Sequence, residues 1–376
     1  MGFGGVRTEP RIERELRDGT CAIRLFYDGK EVSGLWVHDL WVRIGEAYVR
    51  MGGIGGVHTE EPYRMRGFAR RVMEESIEYM REAGFVLSAL FGIPFFYERW
   101  GFVPALPEYR ISLRLEAISD AKQKHEVVDY EEGYRGHVIE IYNANNRWRT
   151  CSCLRSMDTW KGFAQGTGFG VGSDVKVILG RDGSPSGYLS FDATLERTAV
   201  SEVGYTDIDV FETMVALIAR RAEEREHKEI YLTMPPDHPF AIYLRRYGCI
   251  VTEQFTKSGG GMMRIIDVEG LFAKISPELS RRLRGSPLQS FSGMLSIETE
   301  IGEVGLEIDS GDVRVGEKGK AKLKLPQGKL TQLVVGYRDV MTIALEEDVS
   351  IPSEFLPLLE VLFPLGHPYI WWCDRF

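Results

Sequence analysis

The chain has 376 residues, 44% of them apolar and 27% charged, with a net charge of −9. That composition excludes wholesale disorder, collagen-like repeats and low complexity, and the length accommodates two or three domains of ~100–200 residues each. No run reaches the ~18 apolar residues of a membrane helix, and an acidic chain is a poor match for a nucleic-acid backbone, so neither a membrane nor a nucleic acid is expected as a partner.

The opening residues lack the apolar core of ~7–15 residues that a secretory leader requires, and Val6 breaks the myristoylation pattern, so a cytoplasmic location is expected. The cysteines are Cys21, Cys151, Cys153, Cys249 and Cys373, and none form a Cys-x-x-Cys pair. Neither a disulfide framework nor a bound metal is expected.

Strand-like runs at Cys21–Tyr27 and Val32–Trp41 lead into a glycine-rich strand, Met51–His58. A helix is predicted over Gly67–Ala83, because Phe68, Val72, Met73, Ile77 and Met80 recur at helical spacing and Gly84 closes the pattern. Phe85–Leu90 reads as a short buried strand, Pro94–Trp100 as a helical turn and Tyr109–Leu115 as a further strand. This order implies an α+β fold in which the helix crosses between parallel strands.

Residues 126–276 repeat the theme, with strands Val175–Leu179, Gly187–Ala193, Ala199–Tyr205 and Glu229–Met234, a helix Val210–Glu226 and another near Phe240–Tyr247. The run Tyr97–Val103 resembles Leu244–Ile250, which suggests an internal duplication. Residues 277–376 differ. They read as a helix Pro277–Leu283, strands Phe291–Ile297, Gly305–Ile308, Asp312–Val315 and Lys320–Leu325, a helix Ser353–Leu362, and an apolar end, Tyr369-Ile370-Trp371-Trp372-Cys373-Asp374-Arg375-Phe376. Three blocks result, 1–125, 126–276 and 277–376.

The strongest local chemistry lies where the glycine-rich strand turns into the helix. Arg64, Arg66, Arg70 and Arg71 fall within Arg64–Arg71 with no acid among them. Gly67 lets a ligand approach the main chain, and the free N–H groups of a helix's first turn favour an anion such as pyrophosphate. The other reading is a solvated basic helix start. There is no Gly-Lys-Ser/Thr of a P-loop, and the glycines lie within the strand rather than at its turn, unlike a dinucleotide fingerprint.

Arg64-Met65-Arg66-Gly67-Phe68-Ala69 resembles the Arg/Gln-x-x-Gly-x-Gly/Ala motif of the GCN5-related N-acetyltransferases. Phe96-Tyr97-Glu98-Arg99-Trp100-Gly101-Phe102 is similar to their Tyr-x-Arg-x-Gly-Phe element. The block order narrows the resemblance to the enhanced intracellular survival (Eis) type. That type implies a catalytic acetyltransferase domain, a degenerate second copy and a sterol-carrier-like α+β domain. By resemblance, Val57, His58 and Thr59 would pair with the pantetheine arm of acetyl-CoA. Met65, Arg66, Gly67, Phe68, Ala69 and Arg70, with Arg64 beside them, would hold its pyrophosphate, and Gly92 and Ile93 would flank its other side.

Tyr97 matches the tyrosine that protonates the departing thiolate, a transfer within reach of a phenol of pKa ~10. The alternative is that Tyr97 is one more aromatic beside Phe95, Phe96, Trp100 and Phe102. The resemblance assigns the base to the terminal carboxylate, here Phe376. His38, Asp39, Glu60, Glu61 and Glu98 are rivals, and His58 is either a base or a position read only through its backbone. Trp36 and Trp41 read as core residues or as walls of an acidic, aromatic cleft for a cationic amine. In the second copy, Asp207 and Asp209 would cap a helix and repel a pyrophosphate, while Leu244 stands where Tyr97 does, so that copy is expected to be inert.

The resemblance implies transfer of acetyl to a primary amine, whether aminoglycoside, polyamine or lysine side chain, in a homo-oligomer built as a hexamer. It also implies a strand and two helices before the hairpin, which are shortened or missing here. Two other functions fit the residues: an apolar-ligand carrier and a non-catalytic acetyl-CoA-binding protein.

Overall fold

The computed structural model describes residues 9–376, so the expectations placed on the first eight residues lie outside it. In chain order the first strands are β1 (Arg11–Arg17), β2 (Thr20–Tyr27), β3 (Lys30–Ile44), β4 (Ala47–Thr59), β5 (Leu87–Gly92), β6 (Val103–Leu106) and β7 (Glu108–Arg114). They are followed by β8 (Glu126–Asp129), β9 (Ser173–Leu179), β10 (Pro185–Asp192), β11 (Thr198–Tyr205), β12 (Glu229–Leu232), β13 (Ile250–Gln254) and β14 (Gly260–Ile265). A last group comprises β15 (Ser292–Thr299), β16 (Gly302–Asp309), β17 (Asp312–Gly316) and β18 (Ala321–Lys324). The chain is a mixed α+β protein.

These strands belong to two units. One takes the chain up to Ala105, then Lys257–Leu365 and Phe376; the other takes Leu106–Thr256 and Gly366–Arg375. The first unit's large sheet has the order β1-β2-β3-β4-β5-β14-β6. Alternation places Cys21, Ile23 and Leu25 of β2 on one face, against helix α1 (Phe68–Glu82). Helix α1 buries Phe68, Val72, Met73, Ile77 and Met80, the stripe expected from spacing. It links β4 to β5, which run parallel, as a crossover helix should. The same unit holds the sheet β17-β16-β15-β18.

The second unit's sheet has the order β8-β9-β10-β11-β12-β7-β13, the same plan with β7 where the first has β14. The strand read as Tyr109–Leu115 thus pairs with β12 and β13 rather than with its predecessors in sequence. Strand pairing is non-local, and nothing in the run's own pattern names its partner.

Two further readings are corrected, a helix start and the burial of two tryptophans. The helix expected to begin at Pro277 begins at Val268 and runs to Arg284 with Pro277 inside it. Val268, Leu271, Phe272, Ile275, Leu279 and Leu283 make one buried stripe across that proline, which lies on the exposed face. Before the hairpin β2–β3 the described residues hold one strand, β1, paired antiparallel with β2. Trp36 and Trp41 are 39% and 42% exposed, so neither is a core residue, and five positions apart on β3 they lie on opposite faces of the sheet.

Candidate functional site

The parallel pair β4–β5 is in register from Met51↔Leu87 to Ile54↔Leu90 and then stops. Beyond that point β4 stays with β3 and β5 stays with β14, so the two strands part. A bulge marks the place. Trp36 faces Gly55 while Gly34 faces His58, giving β4 one residue more than β3, and Gly56 sits at φ +62. The edge of β4 from Gly55 to Thr59 is left without a β5 partner. Ser33 Oγ fixes that edge from the other side, donating to the His58 carbonyl at 2.8 Å and meeting Thr59 Oγ1 at 2.8 Å.

From Thr59 the chain makes a tight turn into α1. Met65 at φ +61 and Gly67 at φ +80 are both left-handed, and Gly67 is the N-cap of α1 with no side-chain hydrogen bond. No acid stands in the first turn of the helix. The first amides of α1 therefore point outward uncapped, with the positive end of the helix behind them. Arg64 is tied by Nε to the Thr59 carbonyl at 3.2 Å, and the Arg66 guanidinium lies 5.2 Å from the Tyr63 ring centre.

A cleft of about 620 Å³ opens here. Of the residues singled out from the sequence, Val57, His58, Thr59, Arg64, Met65, Gly67, Phe68, Ala69, Arg70, Ile93 and Tyr97 line it. Tyr63, Phe96, Arg99 and Trp100 line it as well. Phe96, Arg99 and Trp100 belong to the Tyr97 element already visible in the sequence, whereas Tyr63 carried no signal. Arg64, Arg70 and Arg99 bring positive charge, and no carboxylate is among the residues that line this cleft.

Three of the residues expected at the site do not line this cleft: Arg66, Gly92 and Phe376. Gly92 has a different use. A Cβ there would fall 2.5 Å from the Tyr97 ring, so the missing side chain lets that ring lie against the end of β5. Tyr97 is 9% exposed, with Phe96 at 4.8 Å and Trp100 at 6.3 Å between ring centres. Burial raises its pKa above the ordinary phenol value, so it holds its proton at neutral pH.

Phe376 lies on the opposite face of β4. A Cβ on Gly52 would strike Met80 of α1, while a Cβ on Gly53 would fall 2.7 Å from the Phe376 ring, and alternation puts these neighbours on opposite faces. The Phe376 ring centre is 5.8 Å from those of His38 and Phe91. Its carboxyl carbon is 3.1 Å from where a Gly55 Cβ would stand. The terminal carboxylate therefore rests on β4 at the residue where β5 leaves it.

Among the rival bases, Asp39 is held by Arg50 through bonds of 2.9 and 2.6 Å, and Glu98 takes the Ser258 hydroxyl. Glu60 and Glu61 lie outside the cleft lining. His58 Nδ1 is 3.2 Å from the Gly56 carbonyl and Nε2 is 3.7 Å from Glu31. Among the described residues no cluster of three or more His, Cys, Asp or Glu is placed to hold a metal ion, and no helix is long and apolar enough to cross a membrane.

Residues 3–105 match the family described as the acetyltransferase (GNAT) domain. No curated protein matches the sequence of this chain. Among solved structures, a probable N-acyltransferase from Enterococcus faecalis is 17% identical, with a TM-score of 0.77 over 98% of this chain and 100% of that one. A GCN5-related N-acetyltransferase from Anabaena variabilis is 17% identical, with a TM-score of 0.75 over 94% of this chain and 89% of that one. Eis1 from Mycobacterium abscessus is 16% identical, with a TM-score of 0.65 over 94% of this chain and 91% of that one. At these identities the structures share a fold with this chain. The family match makes the N-terminal part an acetyltransferase domain, and the chain an acetyltransferase enzyme.

Proposed function

We propose that the chain moves an acetyl group from acetyl-CoA to a primary amine, with the cofactor in the cleft between β4, β5 and the start of α1. The observation that carries this is the uncapped N-terminus of α1 facing a cleft lined by Arg64, Arg70 and Arg99 and by no carboxylate. Such a lining fits a pyrophosphate, and the unpaired edge at Val57, His58 and Thr59 fits an amide-bearing arm that pairs as a strand would. Bound acetyl-CoA would supply an acetyl thioester. Backbone N–H groups of Val57–Thr59 would donate to its carbonyl oxygen, Met65–Arg70 with Arg64 would hold its phosphates, and Ile93 would close its flank.

Tyr97 is the proton donor to the departing sulfur, a phenol that carries its proton at neutral pH. The Phe376 carboxylate, set where the strands part, takes the proton of the incoming amine, directly or through His38 or water. The acceptor remains a primary amine of the aminoglycoside, polyamine or lysine type, since the arginine-lined cleft serves the cofactor rather than a cation. The blocks 1–125, 126–276 and 277–376, a sterol-carrier-like third block and assembly as a hexamer belong to the same reading, by resemblance to the Eis type.

Thiol release with a panel of amines tests it. Tyr97→Phe is expected to lower kcat about 10²–10⁴-fold with little change in KM for acetyl-CoA. Residues appended after Phe376 are expected to abolish turnover while CoA still binds; unchanged turnover removes the terminal carboxylate from the mechanism. A carrier of apolar ligands would show neither CoA binding nor thiol release.

A further inference from the structure

The short helical turn that carries Tyr97, Glu98–Trp100, is held from outside by residues far along the chain of the same unit. At its leading end, Ser258 Oγ accepts from the Phe95 amide at 2.6 Å and donates to the Glu98 carboxylate. Gly259, at φ +73, packs so closely that a Cβ there would stand 2.8 Å from Pro94 N. The turn's own bonds are few: Trp100 N to the Tyr97 carbonyl at 3.1 Å and Gly101 N to the Glu98 carbonyl at 2.8 Å. Its last carbonyls need partners from elsewhere. Arg264 of β14 donates from Nη1 to the Trp100 carbonyl, and Gln327, the first residue of the helix Gln327–Val334, donates from Nε2 to the Gly101 carbonyl.

Both donors are costly to keep. Arg264 is 7% exposed, with no carboxylate within ion-pair distance among the described residues, and burial lowers its pKa to about 10. Burying a cation that has no ion-pair partner, only the more distant charge of Glu300, costs stability that a hydrocarbon of the same size would not. Gln327 is 2% exposed and uses both ends of its amide, since Oε1 accepts from the Ile265 N–H at 3.0 Å. What these positions return for that cost is a fixed turn. The Tyr97 ring is already pressed on Gly92, so a rotation of the turn would swing its hydroxyl along the cleft.

We infer that Arg264 and Gln327 are positioning residues for acetyl transfer: through the Trp100 and Gly101 carbonyls they set where the Tyr97 hydroxyl lies. The inference rests on the reading of Tyr97 as proton donor. It also gives the stretch Lys257–Leu365, none of which lines the cleft, a part in the reaction. Misplacing a reacting group by about 1 Å costs about 10²-fold in rate, so a small release of the turn is enough to be measured.

The test is steady-state kinetics on the full chain with Gln327→Leu and Arg264→Lys, each alone and combined with Tyr97→Phe. Arg264→Lys keeps a cation with a shorter reach, so the test stands if Gln327→Leu does not fold. Each single variant is expected to lower kcat about tenfold while KM for acetyl-CoA stays within about twofold. In the Tyr97→Phe background the same changes are expected to alter kcat by less than about twofold, because the group they place is gone. Losses that multiply in that background overturn the inference and leave Tyr97 as donor. A Tyr97→Phe enzyme with unaltered kcat overturns the donor assignment, and the inference with it.

Discussion

The two units share one sheet plan and treat its parted strands in opposite ways. In the first, β4 and β5 separate after Ile54 and Leu90 onto a cleft of about 620 Å³ beside an uncapped helix. In the second, β11 and β12 stop pairing after Val200 and Leu232, and the core there buries the chain's own Tyr369 and Trp371. Tyr369 donates to the Thr233 carbonyl at 3.1 Å, and Trp371 Nε1 to Asn146 Oδ1 at 2.7 Å. The turn after β11 is capped by Asp207, whose carboxylate accepts from the Asp209 amide, where the first unit has bare Gly67. The same scaffold thus holds an open cleft where its helix start is bare and basic, and a packed core where that start carries acids and the gap is filled with aromatic rings.

The largest effect should come from the network that fixes the filled side. Arg155, 3% exposed, bonds Glu202 twice at 2.7 Å and Asp374 at 2.9–3.2 Å, and its guanidinium lies 3.4 Å from the Tyr142 ring centre. Arg155→Met leaves two buried carboxylates without a cation, and chemical denaturation should show a loss of about 3–5 kcal/mol. A loss below about 1 kcal/mol would mean that the network is not what stabilises this unit.

Next is a pH effect confined to the filled side. His238 is 2% exposed, its Nδ1 accepts from the Phe240 amide at 3.2 Å, and Arg149 stands nearby, so burial above all depresses its pKa to about 3. A His held neutral in the fold stabilises above its ordinary pKa of ~6.5, and that contribution falls by about 1.4 kcal/mol per pH unit as the pH drops from there toward 3. His238→Asn keeps a capping acceptor and should flatten this slope between pH 7 and 5 in urea titrations. An unchanged slope assigns the acid sensitivity to other groups.

The smallest pair compares the two helix starts directly. Asp207→Ala removes a cap and should cost about 1 kcal/mol of stability with no effect on CoA affinity. Gly67→Ala meets no atom within 4 Å but must hold φ +80, so its backbone cost is also about 1–2 kcal/mol, and there CoA affinity should fall as well. Calorimetry and melting on the two variants separate a capped start from a binding one.

Much of the open side could be read from the residues. The stripe from Phe68 to Met80 and the arginine run around Gly67 are local patterns, and local patterns survive without tertiary context. The glycines of β4 were visible but their uses were not. Gly52 makes room for Met80, Gly53 and Gly55 for Phe376, and Gly56 for the bulge, and each partner lies far off in sequence. The exchange of β7 and β14 was equally hidden, because a strand's periodicity reports its faces and not its neighbours. The helix Arg135–Asn145 has Val138, Ile139, Ile141 and Tyr142 buried but only a weak amphipathic stripe, so its spacing gives no helical signal. The second unit's filled gap could not be foreseen either, since the apolar end of the chain announced burial without saying where.

Isothermal titration of the intact chain with CoA, repeated on Arg64→Ala/Arg70→Ala, tests the central claim most directly. The account predicts one molecule of CoA per chain, with affinity falling about tenfold or more in the double variant and more steeply as salt rises. Two molecules per chain, or affinity unmoved by loss of both arginines, would contradict it.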